Sequence, residues 1–186
     1  MAELDYGPLT QLIGTWEGDK GIDIAPEPDG EENSPYFEKI VFSALGEPVS
    51  NAEEQDIAAL HYHQRVYRKS NNKEFHNETG YWMWDAASGL IMHSLTIPRG
   101  LSLVAGGHHD GKADVDGAVV IEVKAQANDS EWGIVESPFM RDKASTRDYA
   151  QKLTIKGDEL SYYQAMTLDI YGRIFLHTDE STLTRV

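Results

Sequence analysis

Leu60-His61-Tyr62-His63-Gln64-Arg65-Val66-Tyr67-Arg68 runs into the turn-like Ser70-Asn71-Asn72-Lys73. Thr79-Gly80-Tyr81-Trp82-Met83-Trp84 then runs into Asp85-Ala86-Ala87-Ser88-Gly89. Both are short runs of β-branched and aromatic residues closed by turn formers, the pattern of strands in an antiparallel sheet. The same pattern extends in both directions. Lys39 to Ser43 precedes it, and Leu90 to Ile97 follows, broken by Pro98-Arg99-Gly100 before Leu101 to Ala105. Ala118 to Ala125, Asp148 to Ile155, Glu159 to Leu168 and Phe175 to the terminus complete the set, separated by Asp116-Gly117 and Lys156-Gly157-Asp158. About nine or ten regularly spaced strands predict one all-β domain over 1–186, either a sandwich or an up-and-down barrel. Helix is scarce. Leu9 to Ile13, after Pro8 and stopped by Gly14, is the best candidate. In Tyr81-Trp82-Met83-Trp84 both faces carry bulk, so one pair is expected to line or fill an interior.

Composition narrows the chemistry. The 186 residues carry Lys+Arg 16 against Asp+Glu 31, a net charge of −15, and no cysteine. Zero cysteine excludes disulfides, thiolate metal sites and a thiol nucleophile. The negative balance argues against nucleic acid and against anionic membrane surfaces. The opening Met1 to Tyr6 lacks signal-peptide features, and no apolar run is long enough to span a membrane, so the expected location is cytoplasmic. The sequons at Asn77 and Asn128 read accordingly as chance matches. Asp23 to Ser34 and Gly46 to Asp56 hold many of the acids and read as solvated loop insertions.

Several motifs are decoys. Gly106-Gly107-His108-His109-Asp110-Gly111-Lys112-Ala113 fits part of a phosphate loop. Ala113 replaces the required Ser or Thr, and a strand follows instead of a helix. Asp110, Asp114 and Asp116-Gly117 suggest a calcium loop, yet aligning Gly117 puts Lys112 first and Val123 twelfth, and neither can ligate. His61 and His63 share a strand face and His108-His109 a loop; surface histidines explain both better than zinc. No H-E-x-x-H or G-x-S-x-G is present.

Leu12-Ile13-Gly14-Thr15-Trp16-Glu17-Gly18 adds a helix feeding a Gly-x-Trp first strand. It resembles the start of lipocalin and fatty-acid-binding barrels, where the Trp plugs one end. Phe42 to Gly46 with Pro48-Val49, Tyr62-His63-Gln64, Phe75 to Trp82, Leu160 to Met166 and Thr182 to Val186 follow in order. Together they resemble the nitrobindin-like heme-binding β-barrel family over most of the chain. That resemblance implies a closed antiparallel barrel of about ten strands with a short N-terminal helix. It also implies an apolar cavity holding heme b through one axial histidine near the C-terminus, and links ferric forms to nitric oxide binding and peroxynitrite isomerisation. The matching histidine here is His177, the candidate iron ligand, and Met166, Phe75 and His76 fall at pocket-lining positions. A neutral imidazole suits that role. The sequence departs from the family at Lys20, where a glycine is usual, and His177 lies about one residue too far from the end. A one-residue slip in a strand turns a side chain to the other face unless a bulge restores it.

Beside a heme barrel stand two other readings. One is a heme-free carrier of a fatty acid or other apolar small molecule, needing Tyr or a buried cation from Arg65, Arg99, Arg173 or Arg185. The other is a filled barrel acting through its acidic loops on a protein partner. Enzymatic activity of the isomerase type follows only if heme is bound, and oligomeric state is left open.

Overall fold

A computed structural model describes residues 4–186. Met1, Ala2 and Glu3, read above for signal features, lie outside them. The strands are β1 (Gly14–Glu27), β2 (Gly30–Ala44), β3 (Val49–Asn51), β4 (Gln55–Arg68), β5 (Glu74–Asp85) and β6 (Leu90–Ile97). They continue as β7 (Leu101–His108), β8 (Val119–Gln126), β9 (Ile134–Glu136), β10 (Ala144–Lys156), β11 (Glu159–Ile170) and β12 (Arg173–Arg185). Ten form a ring in the order β2-β1-β12-β11-β10-β8-β7-β6-β5-β4, closed by pairing of β4 with β2. All pairings around the ring are antiparallel. Closure into a barrel, rather than a sandwich, leaves the ring without edges. β3 folds onto the start of β4 and β9 onto β7.

One end of the barrel is plugged. Gly7–Leu12 forms a 3-10 helix begun by Pro8, and its Leu9 and Leu12 are fully buried with Trp16. Trp16 Nε1 donates to Leu12 O at 2.7 Å. Arg185, at the end of β12, locks this base: its guanidinium lies 4.2 Å from the Trp16 ring and donates to Ile13 O at 2.5 Å and Gln11 O at 2.7 Å. The other end, ringed by the β1–β2, β4–β5, β6–β7 and β11–β12 turns, is the mouth.

Both acidic insertions prove to be hairpins. Asp23 pairs with Ser34 and Glu27 with Gly30, so the first is the tip of β1–β2 around Pro28-Asp29 and not a loop. Pro26 is tolerated because β1 pairs with β12 only as far as Ile24, where no donor is needed beyond. The second contains β3, turned by Ala52 and Glu53, both at positive φ, and its strand residues are exposed. A further helix, α1 (Pro138–Lys143), is capped by the Ser137 hydroxyl and was not expected from the sequence. The phosphate-loop mimic is the β7–β8 connection, and Asp114 there merely accepts from its own turn amides. Among the described residues no helix is long and apolar enough to cross a membrane.

Arg185→Ala removes the base lock and leaves two carbonyls near the plug unpaired. It should lower stability by about 2–3 kcal/mol in urea unfolding, with Arg185→Lys intermediate. A loss within experimental error of zero would show that the lock is dispensable.

Candidate functional site

Strand alternation decides what enters the barrel. On β2 the residues Ser34, Tyr36, Glu38, Ile40 and Phe42 are buried in turn, and on β4 Leu60, Tyr62, Gln64 and Val66. The base half is apolar and aromatic. The half towards the mouth is polar, with Asp23, Glu38 and Glu78 at 6%, 3% and 2% exposure. The excess charge is therefore not confined to solvated loops.

Two hydrogen-bonded groups occupy this half. In the first, Tyr162 Oη lies 2.7 Å from Tyr36 Oη and 3.1 Å from both oxygens of Glu38. Gln64 Nε2 donates to Glu38 at 2.7 Å and to Tyr162 at 3.1 Å. Tyr36 Oη in turn reaches Asp179 Oδ1. Burial pushes the Glu38 carboxyl up to about 7. Burial, with the nearby Glu38 and Asp23 charges, also raises Asp179 to about 7. Gly21 makes room for this group, since a Cβ there would lie 1.9 Å from the Tyr36 ring. It follows the β-bulge between Gly18 and Gly21 that re-aims the rest of β1.

In the second group, Tyr62 Oη donates to Glu78 at 2.6 Å, and His76 Nε2 lies 3.2 Å from the other Glu78 oxygen. Burial alone would raise Glu78, but the hydrogen bond and charge of His76 outweigh it and hold the carboxylate low. His93 stacks on Trp82 at 4.0 Å, with Nε2 2.9 Å from Tyr62 Oη. The Tyr62 proton is committed to Glu78, so His93 Nε2 is the donor and Nδ1 faces Tyr149 Oη at 3.3 Å. Burial pushes His93 down to about 4, keeping it neutral. Two buried glutamates thus differ in kind: Glu78 has a cationic partner and Glu38 only neutral donors. Between the groups remains a void of about 10 Å³, lined by Tyr62, Gln64, Glu78, His93, Gln151 and Tyr162 among others. That is room for about one water, far below the roughly 300 Å³ of a ligand pocket.

His177 sits above this packing at the mouth. It shares the inward face of β12 with Asp179, Ser181 and Leu183, and the β11–β12 register is unbroken, so the feared outward slip does not occur. Its Nε2 is 2.6 Å from Asp23 Oδ1, on the bulged β1. Nδ1 has no hydrogen-bond partner among the described residues. Met166 is directly opposite on β11 and buried. Phe75 packs edge-on to Tyr36 at 6.2 Å beneath the Arg68 guanidinium, and His76 turns down to Glu78. His61 and His63 point outward to Thr79 and Asn77. Among the described residues no group of three or more His, Asp or Glu is placed to hold a metal ion by itself.

The family model for the THAP4-like, heme-binding beta-barrel domain matches residues 5–185. The chain belongs to that family. Its fold also matches the crystal structure of Rv2717c from M. tuberculosis at TM-score 0.70 and 23% identity, covering 96% of this chain and 94% of that one. No similar sequence is found among curated proteins. The mouth suits the family's prosthetic group in donor chemistry. One His177 nitrogen is pinned by a carboxylate, as metal-bound imidazoles are, the other is free, and Met166 and Leu168 supply apolar surface on the neighbouring strand. The barrel interior below does not suit it, being filled and polar where an apolar cavity was expected. Any macrocycle is confined to the mouth.

The residues missed from sequence were the buried acids. Glu38 lies at i−2 and i−4 from Ile40 and Phe42, which put it on the inner face of β2. Because the raised Glu38 carboxyl holds its proton more tightly folded than unfolded, its contribution to stability is present at low pH and lost as pH rises from about 4.5 through 7. His93, shifted the other way, opposes this between about 6.5 and 4, and Asp179 and His76 share the field. Measuring wild type against Glu38→Gln isolates the effect. The difference should move by about 2–3 kcal/mol against wild type between pH 4.5 and 8; a pH-independent difference would contradict a raised Glu38.

Proposed function

We propose that the mouth of the barrel binds heme b, with His177 as the residue that would hold its iron. The observation that carries this reading is the inward-facing His177 imidazole held at one nitrogen by Asp23. Asp23 fixes the ring orientation and strengthens the imidazole as a donor. Met166 opposite, and Phe75 and His76 from β5, flank the same opening. The filled core beneath closes the site from below and keeps bulk water from entering through the barrel.

When bound, ferric heme supplies an open coordination position for nitric oxide and for isomerisation of peroxynitrite to nitrate, the activities the family resemblance implies. The protein's share is to hold the imidazole, cover one face with apolar surface and set the charge around the mouth.

A heme-free carrier of a fatty acid is less well supported. Arg65 is outside, paired with Glu74, and Arg185 is at the base. Arg173 ties the β1–β2 tip to the β11–β12 turn and Arg99 is exposed in the β6–β7 turn. The interior instead offers carboxyls, which repel a fatty acid head group, and no volume for its tail.

Titration of the apo-protein with hemin tests the reading. Wild type should develop a sharp Soret band saturating at one equivalent. His177→Ala should abolish it or weaken binding strongly, and Asp23→Asn should weaken it about 10–100-fold. An unchanged band in His177→Ala would remove that residue from the ligand role.

A further inference from the structure

Arg68 ends β4 in the inward-facing set of Tyr62, Gln64 and Val66, directly opposite Tyr36 of β2. Beside it β5 carries one extra residue: Val66 pairs with His76 and Tyr67 with Glu74, which leaves Phe75 as a bulge. A bulge re-aims a side chain. Here it sets the Phe75 ring against Tyr36, with the Arg68 guanidinium 4.7 Å from the Phe75 centroid. A permanent cation is thereby fixed over an aromatic face at the mouth.

That cation is under-used. A guanidinium presents a fork of N–H donors, yet the Arg68 side chain makes a single hydrogen bond, from Nη2 to Glu32 Oε2 at 3.1 Å. Its Nε is buried with no acceptor among the described residues. Glu32 is a weak partner, since its side chain is 42% exposed and such pairs contribute little. Idle donors on an aromatic-backed guanidinium beside an opening fit one class of group, a carboxylate, which the fork can grip with two parallel bonds. Other cations of the rim are less suited. Arg173 donates to the carbonyls of Glu27 and Gly30, Arg147 pairs with Asp169, and Arg99 is exposed in its turn.

The acids of the opening restrict where a ligand carboxylate can lie. Asp23 and Asp179 stand on β1 and β12 with His177, so repulsion is strongest there. Arg68 is on β4, beyond both β1 and β2 in the ring. With only about 10 Å³ free in the core, no acyl tail can follow the carboxylate inward, so the body of the ligand stays in the mouth.

We propose that Arg68 holds a carboxylate of the ligand at the mouth, which on the heme reading is a heme propionate. The proposal rests on that reading and adds the residue that orients the porphyrin. His177 and Arg68 then grip the ligand at two points, and its carboxylate edge turns towards β4 and β5, away from Asp23 and Asp179.

Hemin and hemin dimethyl ester, which differ only in the charge of their propionates, separate this role from that of the iron ligand. Each is titrated into the apo-protein in the same detergent and followed by the Soret band. Wild type should bind hemin about tenfold or more tighter than the ester. Arg68→Gln should lower hemin affinity to that of the ester and leave ester affinity unchanged, with Arg68→Lys in between. Equal affinity of wild type for the two porphyrins overturns the role of Arg68 and leaves the ligand reading standing. So does a loss in Arg68→Gln that is the same for both, because a purely structural residue would act that way. Uptake of neither porphyrin by wild type overturns both.

Discussion

The Tyr162 hydroxyl, held between Glu38 and Tyr36 on the facing wall, is the contact on which the barrel's interior depends. A closed ring of strands has no edge, and with its lumen filled every polar side chain it turns inward must find its partner inside. Tyr162 joins β11 to β2, and Gln64 brings in β4. Take this contact away and Glu38 keeps only Gln64, while the Tyr36 hydroxyl loses its neighbour from β11. The same packing fills the lumen, so the barrel has no room for a ligand below its mouth.

The division between core and mouth explains why the sequence was readable in some places and opaque in others. The strands, the plug at Leu9 and Leu12 and the structural Trp16 were legible because each is written locally, in periodicity or in a helix stop. His177 was named as a candidate, and counting from the chain end left its direction open. The inward set of β12 is fixed by Leu183, Ser181 and Asp179, and the terminus carries no information about it. Its partner was lost for another reason. Asp23 lies in a stretch dense with acids and prolines, which reads as solvated loop until the β1 bulge and the pairing with β2 bring it inside.

The buried acids were invisible for a general reason: a glutamate in a strand is most often on the wet face. Glu38 and Glu78 break that expectation through side-chain partners, Tyr162 and Gln64 from other strands for one, and Tyr62 with His76 of its own strand for the other. Alternation with Ile40 and Phe42 carried the placement of Glu38, but not the chemistry that makes it tolerable. Membership of a heme-binding barrel family and a carboxylate-rich interior are thus compatible with the proposed ligand position at the rim. There His177, Asp23 and Met166 meet, and the network below sets the electrostatics rather than the volume.

The central claim is positional: a ligand at the mouth beside His177, above a core that stays closed. Paramagnetic broadening of amide signals by bound ferric hemin maps that position directly. The account predicts broadening centred on Asp23, Phe75 to Glu78, Met166 and His177, with the Trp16 indole and Leu183 at the base remaining sharp. Broadening centred on the base, on the outer wall, or spread evenly over the barrel would contradict it.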